Sequence, residues 1–114
     1  MRSHARAVVI GGGVVGVGTL YHLAKKGWND SVLIERKELT SGSTWHAAGL
    51  LPLFNMSYSV GQIHKYSVNF YQGLEAETGQ DVGLRQVSNI RLAMNQDRMD
   101  EYRQYAGVAN TIGI

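Results

Sequence analysis

The stretch Arg6-Ala-Val-Val-Ile10, followed directly by Gly11-Gly-Gly-Val-Val-Gly16, decides the fold of this 114-residue chain. The apolar run over 6–10 consists of strand-forming residues and predicts a strand buried on both faces. From Val14 to Lys26 the apolar residues recur at helical spacing, and Gly27 marks a helix end. Ser31–Glu35 is a second apolar run and predicts a second strand. Strand, helix and strand in this order form the right-handed crossover of a parallel sheet, so the class is α/β.

The glycines between the first strand and the helix follow the Gly-x-Gly-x-x-Gly spacing of a dinucleotide-binding turn. Gly11 allows the tight turn, Gly13 lets the backbone approach a pyrophosphate, and Gly16 lets the helix pack closely on the strand. The helix that begins near Val14 offers its free N–H groups to the anion. Glu35 ends the second strand, where its carboxylate can accept hydrogen bonds from ribose hydroxyls and would repel a 2′-phosphate. The pattern argues against NADP and leaves NAD and FAD open.

The rest of the chain is less regular. Residues 36–58 have no clear period and predict a long loop with at most one short helical turn. Ser59 and Gln62 form a capping-box pair, which predicts a helix that starts there and ends at Gly79.

Two further elements are predicted near the end of the chain. Alternation over Ser88–Met94 predicts a half-buried strand, and Gln96–Ala106 predicts a last helix that stops at Gly107. Two parallel strands cannot cover both faces of a sheet, and doubly wound nucleotide folds use five or six. We therefore expect residues 1–114 to be the N-terminal part of a larger domain, with the doubly wound parallel sheet completed by segments beyond this chain.

Composition excludes several classes of function. Eleven Lys and Arg against nine Asp and Glu give a net charge of +2, which is too balanced for a nucleic-acid-binding surface. There is no Cys, so disulfides and thiolate metal sites are absent, and no His, Asp and Glu spacing fits a metal site. No apolar run approaches the roughly 18 residues of a membrane span, and no leader peptide fits before the first strand. We expect no nucleic acid, metal or membrane partner, and folding in a reducing compartment.

Residues Gly42–Leu50 (GSTWHAAGL) are the most distinctive part of the loop. Ser43 and Thr44 are candidate N-caps, and the small residues after His46 allow close approach by a flat group. Read from the residues alone, Trp45 is a packing anchor and His46 is a hydrogen-bonded loop histidine.

The glycine turn, Glu35-Arg36 and above all Gly42–Leu50 resemble the dimethylglycine dehydrogenase and sarcosine dehydrogenase family, FAD enzymes of the D-amino acid oxidase superfamily. The resemblance also covers Leu74–Gly79 and Asn89–Ala93, and so most of the chain. It implies FAD linked covalently through His46. The cofactor-binding residues that we expect from motif and resemblance together are Gly11, Gly13, Val14, Val15, Gly16, Glu35, Arg36, Gly42, Ser43, Thr44, Trp45, His46, Ala47, Ala48, Gly49 and Leu50.

The resemblance also implies an activity, which is oxidation of an N-methylated glycine-type amine by hydride transfer to the flavin. It implies tetrahydrofolate and an electron acceptor as partners, reached through domains beyond residue 114, where the catalytic residues would also lie. The expected location is the cytoplasm in a bacterium or the mitochondrial matrix in a eukaryote. Two alternatives stay open: a non-catalytic regulatory subunit with the FAD fold, and an oxidase that holds FAD without a covalent bond.

Three arginines are not assigned by this reasoning. Arg85, Arg91 and Arg98 are most simply solvated surface charges, although one of them could grip a carboxylate substrate. The sequence does not distinguish among them.

Overall fold

The computed structural model of the protein describes residues 3–114, which divide into two compact units, one up to Gly49 and the other from Leu50 to Ile114. The first unit holds strand β1 (Ala7–Ile10), helix α1 (Val14–Lys25) and strand β2 (Ser31–Ile34). The predicted strand, helix and strand are confirmed, with bounds that differ by one residue at three of their ends. The first unit is therefore the α/β crossover that the sequence predicts.

Strands β1 and β2 pair in parallel, with Ala7 opposite Ser31 and Ile10 opposite Ile34. The pairing continues at the end of the strands, where the Gly11 N–H donates to the Ile34 carbonyl at 2.8 Å. At the other end, the Arg6 guanidinium lies 3.9 Å from the centre of the Trp28 ring. The parallel register brings the ends of β1 and β2 to the same edge of the sheet, where Glu35 and the glycine turn follow.

The expectation that β1 is buried on both faces is wrong within this unit. Its burial alternates, and Val8 and Ile10 are 52% and 86% exposed. The reason is that α1 covers one face of the two-stranded sheet, so alternate side chains have no described neighbour to cover them.

Helix α2 (Tyr58–Thr78) begins earlier than predicted. The N-cap is Ser57, whose Oγ accepts a hydrogen bond from the Val60 N–H at 3.4 Å, and Ser59 lies inside the helix. Asn55 fixes the entry, because its Oδ1 accepts from the Ser57 N–H at 2.8 Å and holds the cap residue in place. The predicted stop is confirmed, since Gly79 is the C-cap in the left-handed conformation (φ +72°).

The predicted strand over Ser88–Met94 is wrong, because this segment has no regular secondary structure in the described chain. Ile90, Leu92 and Met94 are 85%, 75% and 89% exposed. Alternation of apolar residues indicates a strand only where a neighbouring strand supplies hydrogen bonds, and none lies beside this segment in the described residues.

Helix α3 (Gln96–Ile112) starts where predicted, with Asn95 as its N-cap, but it continues through Gly107 to a C-cap at Gly113. A glycine inside a helix costs about 1 kcal/mol relative to alanine. Packing offsets this cost, because Ile112 in the last turn is only 3% exposed and lies against Gly61 of α2. Within residues 3–114, no helix combines the length and the apolar character needed to cross a lipid bilayer.

Candidate cofactor-binding site

The glycine turn joins β1 to α1 with little space between them. Gly11 has φ +109°, a conformation that side-chain-bearing residues rarely adopt. A Cβ added to Gly16 would lie 1.8 Å from the Gly11 carbonyl oxygen, so only glycine permits this approach of α1 to the turn. The structure confirms the steric reasons for glycine at both positions.

The amino end of α1 presents backbone N–H groups. Gly13 is the N-cap and has no side chain to accept from them, and its carbonyl accepts from the Val17 N–H at 2.9 Å. In the described residues, the N–H groups of Val15 and Gly16 have no hydrogen-bond acceptor, whereas the Val14 N–H donates to Thr44 Oγ1 at 2.9 Å. A helix end with free donors and a positive dipole is suited to an anion such as a pyrophosphate.

The Glu35 carboxylate is bound to the glycine turn. Its Oε2 accepts from the Gly12 N–H at 2.6 Å, and its Oε1 accepts from the Lys37 N–H at 2.8 Å. These two donors, Gly12 first, lower the pKa of Glu35 below its ordinary value of 4.5. Each carboxylate oxygen keeps a further lone pair, so the ionised group can still accept hydrogen bonds from ribose hydroxyls.

Gly12 is a part of the site that the sequence reasoning left out. It is buried, and an added Cβ would lie 2.6 Å from Leu39 Cδ2 and 3.0 Å from Glu35 Cβ. Its carbonyl accepts from the N–H of Thr40, at 3.0 Å, and Thr40 has φ +67°. The sequence did carry a signal for Gly12. Positions 11–13 are all glycine, although the dinucleotide motif requires glycine only at 11 and 13 of these three.

The segment Ser43–His46 forms a short 3₁₀ helix that is held against the glycine turn. Thr44 makes the link to Val14, and a Cβ added to Gly13 would lie 2.9 Å from Thr44 Oγ1. The Trp45 N–H donates to the Thr40 carbonyl at 3.2 Å. The histidine-bearing segment is thus placed at the amino end of α1.

The His46 ring has one nitrogen engaged and one available. Nδ1 lies 3.0 Å from the Gly42 carbonyl, and because a carbonyl only accepts, Nδ1 carries the proton in this contact. In the neutral ring the lone pair then resides on Nε2. Trp45 meets the His46 ring edge to face at 5.9 Å and is 74% exposed, so the expectation of a packing anchor is wrong within this unit.

The remaining predicted residues are less closely engaged. Arg36, Ser43, Ala47 and Ala48 are exposed. The N-cap of the 3₁₀ helix is Gly42 and no side chain caps it, so the candidate cap at Ser43 is not used. Gly49 has φ +71° and ends the first unit, and Leu50, the first residue of the second unit, is 80% exposed.

Comparison with known proteins places the chain in a family. A family model described as "FAD dependent oxidoreductase" matches residues 6–114. The chain belongs to this FAD-dependent oxidoreductase family.

Three relatives show what this chain is similar to. It is 51% identical over 102 residues to mitochondrial dimethylglycine dehydrogenase of Rattus norvegicus, covering 90% of the chain and 12% of that protein. It is 42% identical over 113 residues to mitochondrial sarcosine dehydrogenase of Homo sapiens, covering 98% of the chain and 12% of that protein. It is 38% identical over 112 residues to the mitochondrial pyruvate dehydrogenase phosphatase regulatory subunit of Mus musculus, covering 98% of the chain and 13% of that protein. The chain therefore spans about an eighth of each relative's length.

The residues of the first unit fit FAD. The free N–H groups of Val15 and Gly16 suit the pyrophosphate, and the Glu35 carboxylate suits the adenosine ribose. Among residues 3–114 no three His, Asp or Glu side chains come together to hold a metal ion.

Proposed function

We propose that residues 1–114 form the N-terminal part of an FAD-binding domain in an enzyme that oxidises an N-methylated glycine-type amine of the sarcosine or dimethylglycine class. The family match and the names of two relatives support this proposal. The structural observation that carries it is the docking of the Ser43–His46 segment on the dinucleotide turn through Thr44. Bound FAD would supply the acceptor for the substrate hydride. This chain would hold the cofactor, and the residues that bind and deprotonate the amine would lie outside it.

The exposed sheet supports completion by further strands. Val8, Ile10 and Ile34 are 52%, 86% and 53% exposed, which leaves apolar surface that a larger domain would bury. The relatives are also about eight times longer than the aligned region. In the proposed domain the two strands belong to a doubly wound parallel sheet.

We propose further that His46 carries the flavin covalently through Nε2. The Gly42 carbonyl engages Nδ1, which leaves the Nε2 lone pair as the nucleophile of a neutral imidazole. His46 is exposed, so another group can reach Nε2. A carbon–nitrogen bond to the ring would prevent loss of the cofactor and would make the flavin a stronger electron acceptor.

The test is denaturation of the flavin-loaded protein with acid. Wild-type protein should keep a yellow, fluorescent polypeptide, because a covalent bond survives unfolding whereas hydrogen bonds do not. His46→Ala should release its flavin on denaturation while the native protein still binds it. His4→Ala is the matched control, since His4 is exposed, lies ahead of β1 and, among residues 3–114, has a hydrogen bond to Ser3 alone. Complete release of flavin from the wild-type protein would reject the covalent bond.

A second candidate function is that of a regulatory subunit with an FAD fold, and the 38% identity to the phosphatase regulatory subunit is the observation in its favour. An oxidase with non-covalent FAD is the third. Turnover of sarcosine and dimethylglycine with an artificial electron acceptor, compared with oxygen alone, separates the three. No turnover with either acceptor supports the regulatory subunit, and turnover with oxygen alone supports the oxidase.

Partners and location follow from the proposed reaction. Tetrahydrofolate would accept the one-carbon unit of the oxidised methyl group, and a separate electron acceptor would reoxidise the flavin. The mitochondrial names of the relatives support the mitochondrial matrix in a eukaryote, with the cytoplasm as the corresponding place in a bacterium.

A further inference from the structure

The arginines of the second unit differ in their partners. This unit, residues 50–114, is described completely and contains four arginines. Three of them pair with a carboxylate three or four residues away: Arg85 with Asp81, Arg98 with Glu101, and Arg103 with Asp100. In the described residues Arg91 has no carboxylate partner, which separates it from the other candidates that the sequence left open.

Arg91 is held by contacts that leave one edge of its guanidinium free. Its Cζ lies 4.7 Å from the centre of the Phe54 ring and 5.6 Å from that of Tyr105, within the range of a cation–π interaction. Its Nε donates to Asn89 Oδ1 at 3.3 Å. In the described chain Nη1 and Nη2 have no acceptor. Two parallel donors on a planar group are the arrangement that grips a carboxylate with both oxygens.

The aromatic rings beside Arg91 form one continuous wall of the cleft. Phe54 and Tyr105 stack with centres 4.6 Å apart and planes 11° apart. Tyr102 meets both rings edge to face, at 6.5 and 6.4 Å. Phe54, Tyr102 and Tyr105 are each half-buried.

These groups line an open cleft. It has a volume of about 290 Å³ and is bounded by Phe54, Asn89, Arg91 and Tyr102. We infer that this cleft binds a small monocarboxylate, with the carboxylate on the Nη edge of Arg91 and an apolar head against the rings of Phe54 and Tyr102. A free guanidinium edge beside an apolar wall matches a ligand that has one anionic end and one bulky apolar end.

The inference stands apart from the proposed oxidation. The residues of the cleft all belong to the second unit, and its ligand class follows from Arg91 and the rings alone.

The test measures binding of 3,3-dimethylbutanoate to the flavin-loaded protein by isothermal titration calorimetry. This probe has a carboxylate and a bulky apolar head but no nitrogen, so it binds without being oxidised as an amine. Arg91→Met should weaken its binding about ten- to hundredfold, the range expected for loss of a charge-assisted pair. The affinity of Arg91→Lys for the probe should lie between those of wild type and Arg91→Met, because lysine keeps the positive charge but lacks the planar pair of N–H donors. The neutral 3,3-dimethylbutanamide should bind weakly to all of them.

Arg103→Met is the matched control. This variant also removes one positive charge, at a position on α3 next to Tyr102. Because Arg103 is already paired with Asp100, its loss should leave the affinity for the probe at the wild-type value. Circular dichroism and flavin content establish that each variant is folded. Wild-type affinity in Arg91→Met, equal losses in Arg91→Met and Arg103→Met, or no binding to the wild-type protein would each overturn the inference. Failure to oxidise amines, with Arg91-dependent binding intact, would reject the proposed function alone.

Discussion

Replacing Gly16 by alanine tests whether the close approach of α1 to the glycine turn holds the first unit together. The new Cβ would lie 1.8 Å from the Gly11 carbonyl oxygen and 3.0 Å from its carbon. Carbon and carbonyl oxygen normally meet at about 3.3 Å, so the backbones must separate by about 1.5 Å. Both groups are backbone, and neither can turn aside as a flexible side chain could. Overpacking of this kind costs about 1–3 kcal/mol.

Gly18→Ala is the matched control, two residues further along the same helix. A Cβ at Gly18 would meet nothing within 4 Å, so this variant should gain about 0.5–1 kcal/mol of stability from the better helix propensity of alanine. Gly16→Ala receives the same gain, and the difference between the two variants therefore isolates the steric cost. We expect Gly16→Ala to be less stable than Gly18→Ala by about 1–3 kcal/mol.

The assay combines urea unfolding with flavin content after desalting. Gly16→Ala should unfold at lower urea and lose flavin, because the displaced helix moves its free N–H groups away from the pyrophosphate position. Gly18→Ala should unfold at higher urea than wild type and keep its flavin. Equal unfolding midpoints for the two variants would show that α1 does not pack against the turn as described.

Three further substitutions test other parts of the site. Glu35→Gln should make the stability of the protein less dependent on pH in the acid range. A carboxyl group whose folded pKa is lowered stabilises the protein above its ordinary pKa near 4.5, and this contribution is lost as the pH falls through the folded pKa. Urea unfolding at pH 3–7 would measure the difference between the variant and wild type. Gly13→Val should abolish flavin binding, because its side chain would occupy the space proposed for the pyrophosphate and its Cβ would also lie 2.9 Å from Thr44 Oγ1. A flavin titration that matches wild type would place the phosphate elsewhere. Thr44→Ala should lose a hydrogen bond worth about 1 kcal/mol and incorporate acid-stable flavin more slowly, whereas Thr44→Ser should restore the rate.

The first unit could be predicted from the sequence because its signals are local. The change from a strand-like run to helical spacing, together with the glycines between them, fixes β1 and α1 without reference to other residues. Two of the errors in the second unit have the opposite origin. Alternating apolar residues over Ser88–Met94 form a strand only if a neighbouring strand is present to pair with them. Gly107 ends a helix only if the packing of Ile112 does not extend the helix beyond it.

The geometry of the candidate site could be predicted from the sequence only in part. The motif identified Gly11, Gly16 and Glu35, since the spacing itself carries their roles. It could not show that Glu35 accepts from the Gly12 N–H, or that Thr44 meets the Val14 N–H, because these contacts join residues 23 and 30 positions apart. Contacts of that kind depend on how a loop without periodicity returns to the turn.

These two contacts explain why the site combines a common turn with a distinctive loop. The glycine turn contributes backbone donors, which any dinucleotide can use and which do not distinguish FAD from NAD. Thr44 bonds one of those donors and thereby fixes the segment that carries His46 at the amino end of α1. A histidine elsewhere in the loop would have the same chemistry without this attachment. Placement of the His46-bearing segment at the amino end of α1 therefore depends on Thr44, and the Ala and Ser variants of Thr44 test that dependence.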